Sequence, residues 1–147
     1  MTGVQTCALP IFGNLRFHDA RSHPLPDDGR FDFVTTFDCL HDMTDPAATV
    51  GAIRCAMRPD GAWLICDVKA HEGYEENVER NPMAAMMYGI SVMACMSSAL
   101  SEPGGAGLGT LGFHEKLARQ MTAEAGFTRF EPLDLGHPVN AFYVVRP

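Results

Sequence analysis

The amino-acid sequence predicts an α/β fold, a parallel sheet finished by an antiparallel hairpin, and two observations carry that expectation. Phe31 to Phe37 and Ala62 to Val68 are β-branched and aromatic runs, and the segment between them reads as a helix. Strand, helix and strand with short connections make a parallel unit. The last two apolar runs, Arg129 to Leu135 and Ala141 to Arg146, are separated only by Gly136 to Asn140, so they should pair as a hairpin. At 147 residues the chain is long enough for one domain with one core.

Taken in order, the chain opens on a stretch, Met1 to Ile11, without charge or period. It resembles a translated sequencing adapter and is set aside as an artefactual leader, leaving residues 12–147 as the domain. Leu15 to His18 is a short strand candidate, and Pro24 to Arg30, with Asp27-Asp28-Gly29, is a loop. Phe31 to Phe37 should be a buried strand. Asp45 can cap a helix whose first residue is Pro46, where a missing N–H costs nothing. Val50, Ile53 and Met57 recur at helical spacing along it. Arg58-Pro59-Asp60-Gly61 should turn the chain into the strand Ala62 to Val68. A polar stretch follows, and then a methionine-rich helix from about Pro82 to Ala99. Pro103 to Gly112 is a glycine-rich loop. His114 to Ala125 is a helix that Gly126 should end with a left-handed cap.

Bulk properties exclude some functions. Lys and Arg number 11 against 18 Asp and Glu, a formal net charge of -7. Phosphate binding needs a basic stripe, so no nucleic acid or anionic membrane is expected on this segment. No run is apolar enough for a membrane span and no signal peptide is visible, which predicts a cytoplasmic location. The five cysteines form no CxxC pair, and no Cys/His set has zinc-ligand spacing, so buried thiols and no metal are expected.

Several short segments carry a more specific signal. In order they are Asp19-Ala20 after the first strand candidate, Leu25-Pro26, Phe31-Asp32, Phe37-Asp38, Leu40-His41-Asp42-Met43 and Arg58-Pro59-Asp60-Gly61. Together, and with the terminal hairpin, they resemble the middle and end of class I S-adenosylmethionine (SAM) dependent methyltransferases. The resemblance covers nearly all of residues 12–147. It implies a partial Rossmann-like methyltransferase sheet with the first strands missing, and SAM as cofactor.

The resemblance also implies roles. Asp19 would accept from the adenine amino group and Ala20 would offer its backbone N–H; a turn-capping aspartate is the alternative. Phe37 and Asp38 would pack against the methionine end of the cofactor, with plain core as the alternative for Phe37. His41 would deprotonate an acceptor hydroxyl, in the manner of small-molecule O-methyltransferases. Those enzymes support the base with a glutamate in a Gly-Gly-Lys-Glu-Arg-Thr stretch, and here Gly104 to Thr110 holds no carboxylate, which leaves a structural histidine open. Met87 and Tyr88, with Met83, Met86, Met93 and Met96, would cover an apolar acceptor; core filling or a dimer face is equally open.

The family's acidic-and-glycine cradle and its second acidic residue have no counterpart in the chain. The expectation is therefore methyl transfer to a small-molecule hydroxyl by the intact parent, which the resemblance allows to be a homodimer, and an inactive fragment. Two other readings stand beside it. One is a SAM-binding transcriptional regulator whose winged helix lies upstream. The other is a nicotinamide enzyme using Gly107-Leu108-Gly109-Thr110-Leu111-Gly112, which demands a strand before Gly107.

Overall fold

The structure is a computed structural model that describes residues 13–20 and 22–147; the leader expected at residues 1–11 lies outside them. Four strands, β1 (Phe31–Phe37), β2 (Met57–Val68), β3 (Arg129–Leu133) and β4 (Asn140–Arg146), form one sheet in the order β1-β2-β4-β3. β1 and β2 run parallel, while β4 lies antiparallel to both β2 and β3. The expected hairpin is present, with β4 inserted against β2 and β3 on the edge. Pro132 sits in β3 opposite Tyr143, a placement edge strands tolerate because only one side of the ladder is used.

Helix α1 (Pro46–Ala56) makes the parallel crossover. Asp45 Oδ1 accepts from the Ala48 N–H at 2.8 Å and Pro46 occupies the first turn, as the sequence implies. Val50, Ile53 and Ala56 are buried on its inner face. Helix α5 (Glu115–Glu124) follows His114, whose Nδ1 accepts from the Leu117 N–H. Gly126 then takes the left-handed conformation at φ 88°. Leu40, Val50, Ile53, Met57, Trp63, Ile65, Phe113, Phe127, Tyr143 and Val145 form the main core. Trp63 is fully buried and satisfies its indole N–H on Thr36 Oγ1 at 3.1 Å.

Four expectations change. Arg58 to Gly61 does not turn the chain. It is a bulge inside β2, where Phe31 pairs with Met57 and Phe33 already pairs with Ala62. A Cβ on Gly61 would lie 3.1 Å from the Phe31, Asp32 and Arg58 carbonyl oxygens, so the bulge needs glycine. Leu15 to His18 is not a strand; it pairs with no strand among the described residues, and Leu15 and Phe17 are exposed. β1 is an edge strand rather than a buried one, and Phe31, Phe33 and Phe37 on its alternating face are exposed. The polar stretch before the methionine-rich segment contains a helix of its own, α2 (Tyr74–Arg80).

The methionine-rich segment comprises α3 (Ala84–Ile90), a π-helical turn (Ser91–Cys95) and α4 (Met96–Ala99) in succession. The π turn buries Ser91 and Cys95 beneath the glycine-rich loop. There the Thr110 N–H donates to Ser91 Oγ at 3.1 Å, and Cys95 Sγ lies 2.9 Å from Thr110 Oγ1. Gly109 has φ 69°, and a Cβ on it would fall 2.3 Å from Ser91 Oγ. These glycines serve close packing on a helix. Helix α4, not a strand, precedes Gly107, so the dinucleotide fingerprint lacks the strand-to-helix turn that it requires. No described helix is long and apolar enough to cross a membrane.

Candidate active site

The carboxyl ends of β1 and β2 converge with the start of β4, the position where open α/β sheets present ligand sites. Two contacts tie them together. The Asp38 N–H donates to the Cys66 carbonyl at 2.9 Å. Asn140 Nδ2 donates to the Asp38 carboxylate. Asp38 is also the one described non-glycine residue with positive φ, 43°, a conformation that aspartate tolerates better than most residues. That kink ends β1 and sends the chain into a single 3-10 turn, Leu40–Asp42. Leu40 is fully buried in the main core and pins the turn, so the next side chain, His41, is directed inward.

The His41 side chain is 5% exposed and meets Asp67, whose side chain is 1% exposed. His41 Nδ1 and Asp67 Oδ1 are 2.6 Å apart. An ionised carboxylate only accepts, so Nδ1 carries the proton and donates. Asp67 Oδ1 also accepts from the Val68 N–H at 2.8 Å, which fixes the carboxylate. The Nε2 face is therefore left for chemistry. It lies 3.3 Å from Asp42 Oδ1. Burial alone would make the imidazole harder to protonate. The hydrogen bond to Asp67 and the charges of Asp67, Asp42 and Asp38 outweigh it, and the His41 pKa is raised. The neighbouring thiols shift the same way for a different reason: burial, then nearby carboxylates, pushes Cys39 and Cys66 up, so they stay protonated and inert.

Asp67 is the functional residue that sequence reasoning missed. The glycine-rich loop holds no carboxylate, and the one that meets His41 Nδ1 comes from β2. The signal was present: Trp63, Ile65 and Asp67 share one face of a pleated strand, and the first two are core. A charged residue on a buried face must have a partner.

The other expected residues are placed as follows. Phe37 ends β1 and is 57% exposed at the rim, which removes the plain-core alternative. Asp38 joins the same rim. Asp19 and Ala20 lie in a surface turn rather than at a strand end, with the Asp19 carbonyl accepting from the Ser22 and His23 N–H groups at 3.1 and 2.8 Å. Met87 is 4% exposed and packs with Val68, Ala84 and Leu111 in a second cluster. Its sulfur accepts from Asn81 Nδ2 at 3.3 Å. It is core filling, and Tyr88 packs beside that cluster and against Tyr74, ring centroids 5.2 Å apart.

Comparison with known proteins assigns the family. The model of the family described as Methyltransferase domain matches residues 3–101, two-thirds of the chain, and begins within the stretch set aside as a leader. The chain belongs to that methyltransferase family. Solved structures share the fold. Human N-acetylserotonin methyltransferase in complex with SAM superposes with a TM-score of 0.60 at 17% identity, over 89% of this chain and 32% of that one. PigF with S-adenosylhomocysteine gives 0.58 at 18% identity, over 88% and 34%. An O-methyltransferase family protein from Burkholderia thailandensis gives 0.56 at 18% identity, over 87% and 32%. The chain spans about a third of the length of these proteins. No curated protein matches it in sequence.

Proposed function

We propose that this segment is the acceptor side of a SAM-dependent O-methyltransferase, with His41 as general base and Asp67 as its positioning residue. The 2.6 Å contact between two buried side chains carries the reading. It fixes the tautomer, directs Nε2 toward the acceptor and stabilises the imidazolium formed there. SAM fits the sheet edge in part. Phe37 offers an exposed apolar ring at the rim, next to Asp38, and Asp19 with Ala20 would meet the adenine. When bound, the cofactor supplies an electrophilic methyl group on a sulfonium. The chain's own residues hold the acceptor hydroxyl at His41, take its proton onto Nε2 and release it to solvent. Tyr88 and the exposed methionines Met86 and Met93 suit an apolar, small-molecule acceptor.

The same reading makes the 147-residue chain a weak binder of SAM, because no acidic-and-glycine cradle occurs in its sequence after a strand. Calorimetric titration should show no micromolar binding; tight binding would contradict that part. The base is tested in the intact parent with labelled SAM and phenolic acceptors. His41→Asn should lower kcat by about 10²- to 10⁴-fold with the KM for SAM little changed. An unchanged kcat would overturn the role.

A further inference from the structure

We propose that His41 Nε2, Asp42 Oδ1 and Cys95 Sγ form a three-ligand site for a zinc-class divalent cation, and that an ion bound there silences His41 as a base.

The three atoms lie within 4.8 Å of one another. Each has an unused lone pair. Asp67 holds the Nδ1 proton, so the neutral imidazole presents its bare nitrogen on the other side. Asp42 Oδ1 is buried and has no hydrogen-bond partner. It nevertheless faces Nε2 at 3.3 Å. Two lone pairs that close, one of them on a buried anion, repel unless something positive sits between them. A proton is one solution and a metal ion is the other.

The dimensions suit the ion. In a tetrahedral zinc site, bonds of about 2.0–2.3 Å separate ligand atoms by about 3.3–3.8 Å. The Nε2 to Oδ1 edge already has that length. Cys95 needs to approach by about 1 Å at most to complete the triangle with bonds of those lengths. It is delivered by the π turn, a type of element frequent at functional sites. Thr110 Oγ1, 2.9 Å from the sulfur, can donate to a thiolate. One nitrogen, one oxygen and one sulfur select zinc or cobalt over magnesium or calcium, which prefer all-oxygen sets. The Asp42 side chain is 38% exposed, which gives the ion a way in and leaves a fourth position for water.

Binding removes one proton from the Cys95 thiol, and a second from Nε2 wherever the imidazole is protonated; both go to solvent. The Nε2 lone pair is then spent on the metal. That consequence rests on the methyl-transfer reading, whereas the binding itself rests on geometry alone. The sequence hid the site because Cys95 is far along the chain from His41-Asp42 and no ligand spacing announces it.

The test is titration of chelator-treated 147-residue chain with Co²⁺, without SAM or acceptor. One equivalent should produce a thiolate-to-cobalt charge-transfer band that Zn²⁺ displaces. Cys95→Ser should abolish the band, Asp42→Asn should weaken binding about 10-fold or more, and Cys55→Ser should change nothing. One equivalent of Zn²⁺ should also move the ¹⁵N resonance of His41 Nε2 in the unsubstituted chain, which needs no variant to fold. No band, a band that survives Cys95→Ser, or an unmoved Nε2 resonance would overturn the site. None of those failures touches the His41→Asn result in the intact parent, so the two proposals fall separately.

Discussion

The two faces of the sheet are built differently. On one face, Thr36 of β1, Trp63 and Ile65 of β2, and Tyr143 and Val145 of β4 are buried, and the same face ends in the His41–Asp67 pair. On the other face, Phe31, Phe33 and Phe37 stand exposed along β1. The first face holds the fold and fixes one imidazole, while the second presents apolar surface.

Substitutions should expose that contrast, most strongly in the core. Trp63→Ala removes a fully buried ring and its bond to Thr36, and should cost about 3–5 kcal/mol in denaturant unfolding. A loss below about 1 kcal/mol, the range of a surface change, would break the comparison. Asp67→Asn keeps an acceptor but loses the charge facing His41. A charge-assisted bond of this kind is worth about 1.5–3 kcal/mol, and the same unfolding measurement reads it.

The pH dependence sharpens the assignment to one residue. The folded His41 pKa is raised above its unfolded value of about 6.5. Its contribution is therefore fully present below about 6.5 and is lost as pH rises through the folded value. Unfolding free energy measured in chelator should fall over that window, and His41→Asn should remove that component. Stability that rises there in the parent and is unaffected in the variant would contradict the sign. The smallest effect belongs to the other face: Phe33→Ser, on the 59% exposed edge position, should change stability by no more than about 0.5 kcal/mol.

Local rules made much of the fold legible. Asp45-Pro46 named the start of α1, Gly126 named the end of α5, and a short connection named the hairpin. Those signals act within a few residues. What escaped depends on distant partners. Leu15 to His18 has strand-like residues but no strand beside it among the described residues. Arg58 to Gly61 has turn residues, yet the parallel ladder with β1 absorbs them as a bulge. In the site, His41 and Asp38 were legible as the segment following a strand. Asp67 and Cys95 were not, since the pleat of β2 and a π turn decide where they point. Met87 packs in the second buried cluster, and periodicity cannot tell which face of a helix is covered.

The central claim is that Asp67 sets the protonation of His41. Heteronuclear NMR of the imidazole nitrogens across pH, in chelator, tests it directly. The His41 pKa should lie above the usual value of about 6.5, with the neutral form protonated on Nδ1 and a downward shift in Asp67→Asn. A His41 that titrates at the ordinary value in both proteins, or whose neutral form carries its proton on Nε2, would contradict it.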